Sequence, residues 1–308
     1  MMAEALRAGP REAMETNDHD RVPSGLKRML TRMWRLRLGM LGLLFVGILL
    51  LTAAFAPLVA PNDPFEQDIM NSLNPPAWME DGSWDYPLGT DQVGRCILSR
   101  IIYGTRISLI VGICAVSIMV LIGTSLGMLA GFYGGVVDSI ISFLINCMMG
   151  FPFILLAMSL VVVLGPSLKN LVIALGVTSW PVFARVARVE TLKYKSQEFI
   201  LAAHSLGYSS LRIIIRHILP NLATSLIVVG TVEVARAIIR ESILSFLGLG
   251  VQPPTPSWGV MLSEGRGYML IQWWLATFPG LAIFVSALGM NLIGDALRDL
   301  LDPHLRKT

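Results

Sequence analysis

Ionisable side chains are scarce in this chain of 308 residues, where Asp, Glu, Lys and Arg make up only 15%, so each one placed among apolar neighbours is a candidate for chemistry. Glu233, Arg236, Arg240 and Glu241 interrupt one long apolar stretch, the last two toward its predicted outer end. Glu233 and Arg236 stand three apart, so on a helix they share a face and can pair. Charges in such a setting are either paired for packing or line a polar path, and the residues leave both readings open. A proton-coupled carrier would need a group of this kind. Asp138 and Asp295 sit near the ends of two other apolar runs. The four histidines are scattered, without a His or Cys at ligand spacing, so no metal site is expected. None of the five lysines follows a glycine, which excludes a Gly-Lys-Ser/Thr phosphate loop and with it nucleotide hydrolysis by this chain. Cys96, Cys114 and Cys147 give no framework of bridges. No catalytic or cofactor-binding residue is predicted.

The elements that position these charges are read from where charge is missing. The chain is 54% apolar with a mean hydropathy of +0.65, whereas soluble domains run near 45–50% apolar and about 25% charged. Its net charge of +3 supplies no basic patch for a polyanion, so no nucleic-acid partner is expected and the lipid bilayer is the predicted solvent. A hydrocarbon core of about 30 Å needs roughly 20 helical residues to cross it. Uncharged runs cover 38–60, 107–137, 139–168 and 267–294, and weaker spans cover 170–184 and about 217–239. The prediction is an all-α polytopic membrane protein of six transmembrane helices. A further uncharged stretch, 242–263, holds Pro253, Pro254 and Pro256 and reads as an extramembrane or re-entrant loop.

Charge bias orients the spans. Residues 26–37 carry five basic side chains and no acid, which predicts a cytoplasmic N-terminal tail over 1–37. Residues 61–106 hold seven acids against three arginines, which places the loop 61–104 outside. Residues 185–217 hold six basic residues against two acids, which returns that loop to the cytoplasm, and the tail 298–308 ends there too. A signal-peptidase reading of Ala54-Phe55-Ala56 is weaker, because the preceding tail and the apolar run are both long for it. Cys96 falls at the outer loop, where a thiol reagent is expected to reach it.

The inner loop contains EFILAAHSLGYSSLRIIIRHILPNL, residues 198–222. Ala202, Ala203 and Leu206 recur at helical spacing and Gly207 gives a break. Ser209 or Ser210 can cap a second helix, Leu211, Ile214, Ile215 and Ile218 form its apolar stripe, and Pro220 ends it. That stripe must be buried against either the chain's own bundle or a groove on a partner.

This segment resembles the permease loop of bacterial ABC importers, E-A-A-x-x-x-G, nine residues, then I-x-L-P. Ala202, Ala203, Gly207, Leu219 and Pro220 match, while Leu201 replaces the Glu and His217 the first Ile. Residues 74–109 are similar to L-G-T-D-x-x-G-R-D-x-x-S-R of the dipeptide/oligopeptide/nickel subfamily, with Cys96 in place of its second Asp. LSFLGLGVQPPTPSWG (244–259) and GDALRDLLDPHLR (294–306) are similar to it as well. The resemblance implies a type I ABC importer transmembrane domain over 105–297, with 38–60 as a first helix and 185–217 as the coupling loop. It implies a second permease subunit, two ATP-binding subunits inside and a substrate-binding protein outside. Ala202, Ala203, Leu206, Gly207, Leu219 and Pro220 would couple to the ATPase; Glu233, Arg236, Arg240 and Glu241, singled out above by their charge, are the candidate lining of the path. The implied cargo is dipeptides or short peptides, with glutathione, oligopeptides or nickel as alternatives; an ion-coupled secondary carrier is the rival from another class.

Overall fold

The computed structural model of the chain describes residues 37–301, and their regular elements are helical apart from one bridge between Thr90 and Cys96. α1 (Arg37–Ala54) leads through Phe55 into the short α2 (Ala56–Val59), and a long irregular segment follows. Then come α3 (Ile97–Tyr133), α4 (Gly135–Gly150), α5 (Phe153–Leu164), α6 (Leu168–Ser179), α7 (Pro181–Lys195) and α8 (Glu198–Ser205). α9 runs over Ser210–Phe246, α10 is Trp258–Gly265 and α11 is Trp274–Leu301. Of the expected tails 1–37 and 298–308, residues 1–36 and 302–308 lie outside the described residues, while Arg37 opens α1 and 298–301 continue α11.

Among the described residues α3, α9 and α11 are each long and apolar enough to cross a membrane, and up to five spans result if two bent pairs count as one each. α1 is a shorter apolar helix, and the run 38–60 is interrupted at Phe55. α4 and α5 meet at 92° because Pro152 holds Phe151 in extended backbone before the second helix can start. α6 and α7 bend by 40° at Trp180, where Pro181 has no N–H to continue the ladder. Helix then continues to Lys195, so the basic residues Arg185 to Lys195, expected in a loop, lie on α7.

Lipid offers no hydrophobic drive between helices, so close backbone approach must hold the bundle together. Gly123, Gly127 and Gly131 recur every fourth residue on α3 and let α7 lie directly on them. A Cβ at Gly127 would stand 2.3 Å from the Ala184 carbonyl oxygen, and one at Gly123 would stand 2.5 Å from that of Trp180. Gly42 on α1 and Gly289 on α11 make a second such crossing. The main core joins α3, α5, α6, α7 and α9 through Val111, Met119, Val161, Leu175, Phe183 and Leu222. α3 and α9 run antiparallel: the start of α3 packs by α10 and the end of α9, while its far end meets Lys195, whose ammonium donates to the Phe132 carbonyl at 2.6 Å.

Candidate functional site

At the end of the bundle where α9 begins, α8 and α9 form a helical hairpin. α8 ends in a Schellman turn: Gly207 has φ +78°, its N–H donates to His204 O at 3.0 Å, and Tyr208 N–H donates to Ala203 O at 3.1 Å. Open space surrounds the Gly207 Cα, so a side chain there is opposed by the backbone conformation and not by a clash. The hairpin uses both of the burial options that its sequence left open. Ile200, Ala203, Ile213, Ile214 and Ile218 turn into the bundle core, whereas Ala202, Leu201, Leu206, Leu211 and Ile215 are exposed. Ser209 stands at the N-cap without a capping bond from its side chain.

Pro220 does not end the second helix as expected. The chain widens into a π turn over Ile214–Ile218, and helix continues through Leu219 and Pro220 to Phe246. A π turn just before the ring relieves the ladder position that a proline cannot fill. The hairpin is thereby joined rigidly to the helix that carries the four candidate path residues.

Those four residues separate into two groups. Glu233 is buried and bridges two arginines, with Arg236 Nη1 at 2.7 Å and Arg240 Nη1 at 3.1 Å from its two oxygens. Arg240 also donates to Ser179 Oγ at 3.1 Å and lies 4.6 Å from the centroid of the Phe153 ring. Glu241 is fully buried away from this cluster and accepts from the hydroxyls of Ser245 at 2.7 Å and Ser242 at 3.3 Å. It does not share the arginines' surface. Asp138 on α4 is bound by both Arg188 Nε and Arg188 Nη2 on α7.

A third constellation escaped the sequence reading. At the opposite end, Asp91, Arg95 and Arg100 are buried and meet Glu264 of α10. Arg95 donates from Nε to Asp91 at 2.7 Å and from Nη2 to Glu264 at 3.1 Å; Arg100 Nη1 bonds both carboxylates, at 2.7 Å to Glu264. Trp258 Nε1 donates to Ile101 O at 3.0 Å, with its ring against Gly104. Gly94 has φ +79°, and a Cβ there would stand 1.7 Å from Asp68 O. Residues 91–104 and 258–264, far apart in sequence, are thus two halves of one clasp. Cys96 is buried within it, so a water-borne thiol reagent is denied the access expected from its loop position.

Residues 123–307 match the family described as binding-protein-dependent transport system inner membrane component. The chain belongs to that family. Residues 24–76 of this transport component also match the N-terminal transmembrane domain of oligopeptide transport permease C. It is 46% identical to the dipeptide transport system permease protein of Haemophilus influenzae, over 87% of this chain and 91% of the relative. It is 43% identical to the di/tripeptide transport system permease protein of Pseudomonas aeruginosa, over 86% and 88%. It is also 43% identical to the glutathione transport system permease protein of Escherichia coli, over 96% and 95%. The all-helical bundle is the type I ABC importer membrane domain, and the matched stretch of this inner membrane component contains the hairpin, the arginine cluster and α10. Such a subunit is a permease and not an enzyme.

Proposed function

We propose that this permease subunit forms, with a second and nonidentical permease, the membrane path of an ATP-driven importer for dipeptides and short peptides. Two ATP-binding subunits would serve it from the cytoplasm, and a substrate-binding protein from the outer side. The observation that carries this reading is the hairpin of α8 and α9: a glycine-hinged pair of helices whose inner face is welded to the bundle and whose outer face exposes Leu201, Leu206, Leu211 and Ile215. An apolar helix face of that kind is matched by a groove on a soluble partner. The basic bias of residues 26–37 and 185–217 supports a cytoplasmic hairpin with both termini on its side, and the acids of 61–104 support an outer position for that segment.

Ala202, Leu206 and Gly207 are the coupling contacts in this reading; Ala203, expected among them, faces the bundle core and, with Leu219 and Pro220, passes the motion on. When the ATP-binding subunits close on ATP, they move the hairpin; because α9 is continuous through Pro220, the displacement reaches Glu233 and Arg240 as a rigid-body rocking of the bundle. Uptake of glutathione is the second reading, favoured by the relative that matches 96% of the chain. An ion-coupled carrier would instead work without the ATP-binding subunits, and vanadate-sensitive uptake separates it from the importer.

Gly207→Asp places a side chain at positive φ and a negative charge on the docking turn. Uptake by membranes holding the full importer is expected to be lost while the variant reaches the membrane at the normal level. Wild-type uptake by that variant would remove the docking role.

A further inference from the structure

The arginine cluster on α9 has chemistry that its packing role does not use. Glu233 is 1% exposed at its side chain and gives one oxygen to each arginine. Arg240 is held from three sides, by Glu233, by Ser179 at the end of α6 and by Phe153 at the start of α5. Arg236 is different. Its side chain is 56% exposed, against 21% for Arg240, and only Nη1 has a partner among the described residues. Two guanidinium groups face one carboxylate, so the cluster keeps one positive charge in excess. Among the described residues no other carboxylate lies within ion-pair distance of either arginine, and Glu241 turns away to its serines.

The cluster's depth says what surrounds it. Val234, two residues before Arg236, packs on Gly112 near the middle of α3. Both helix breaks converge at this level too, through Phe153 after the 92° bend and Ser179 before the 40° bend. Broken helices at membrane depth are tolerated only in a protein interior or beside a water-filled cavity, and an exposed guanidinium facing lipid would be costly. An exposed guanidinium at this depth therefore needs protein or water beside it, and the path side of the subunit would supply it.

We propose that Arg236 binds the carboxylate of the transported molecule, with Glu233 as the positioning residue that fixes its orientation and Arg240 as the second cation that keeps the site positive. This rests on the permease reading and adds the chemical group that the path recognises. Guanidinium presents parallel N–H donors that fit a carboxylate in bidentate fashion, which an ammonium cannot reproduce. A free peptide has one such group at its C-terminus.

The test uses the complete importer in proteoliposomes, with binding protein saturated by dialanine or by dialanine C-terminal amide. Arg236→Gln is expected to slow dialanine uptake about tenfold or more, with Arg236→Lys between it and wild type. ATP hydrolysis stimulated by loaded binding protein should persist, and the wild-type preference for free acid over amide should shrink toward one. Wild-type dialanine rates for Arg236→Gln would overturn the assignment. So would loss of uptake that tracks loss of the second permease from the purified complex, since Arg236 would then be an interface ion. Absence of ATP-dependent uptake in the wild-type importer would overturn the permease reading itself, an outcome distinct from both.

Discussion

At the end of the bundle where α3 begins, four charged side chains turn inward and pair with one another; at the end where α9 begins, apolar side chains turn outward and are left uncovered by the described residues. Asp91, Arg95, Arg100 and Glu264 clasp the irregular segment to α10, and Trp258 adds a further tie to α3. Buried charges of this kind are strongly coupled, because removing one leaves the others desolvated and unpaired. The hairpin at the other end has one hinge, Gly207, and an outer face of Leu206, Leu211 and Ile215 that the described residues leave uncovered. The clasped end also exposes Met70 and Trp84, but they surround a fixed frame. The contrast identifies a fixed end and a gripped end, joined by the close crossing of α3 and α7.

Breaking the clasp should have the largest effect on stability. Asp91→Ala leaves two buried arginines on the single carboxylate of Glu264 and is expected to lose about 3–5 kcal/mol, seen as a sharp fall in folded protein on thermal unfolding in detergent. Unchanged unfolding would mean that the clasp is solvated and the contrast between the ends is false. Next comes the joint between them. Gly127→Val drives a side chain into the Ala184 carbonyl and should cost about 1–3 kcal/mol by the same measurement, with uptake falling more than protein level. Full uptake from that variant would show that α3 and α7 need not stay in contact. The smallest stability change, within about 0.5 kcal/mol, is expected for Leu206→Asp, because Leu206 is exposed and touches no core cluster.

The two ends were unequally legible in the sequence. The hairpin could be read because its signals are local: alanines at helical spacing, a glycine, and an isoleucine-rich stripe lie within about twenty residues. The same stripe hid its division, since only the packed structure separates buried Ile214 and Ile218 from exposed Leu211 and Ile215. Pro220 misled for a physical reason: the π turn ahead of it lets the helix pass. The clasp was invisible as a unit because its partners are 169 residues apart between Arg95 and Glu264: Asp91, Arg95 and Arg100 fell within a loop's charge bias and a motif, and nothing local joined them to Glu264. Spans without charge were legible in kind, but the breaks at Phe151 and Trp180 required the prolines that follow them to be weighed as bends. Within the path cluster, spacing paired Glu233 with Arg236 but could not reveal that Arg240 shares the same carboxylate or that Glu241 belongs to a different environment.

The claim that the hairpin is the gripped end is tested most directly by co-purifying the ATP-binding subunits with the Leu206→Asp permease. The expected result is normal permease in the membrane, ATP-binding subunits lost from the complex, and no uptake. Retention of those subunits at the wild-type ratio with undiminished uptake would contradict it.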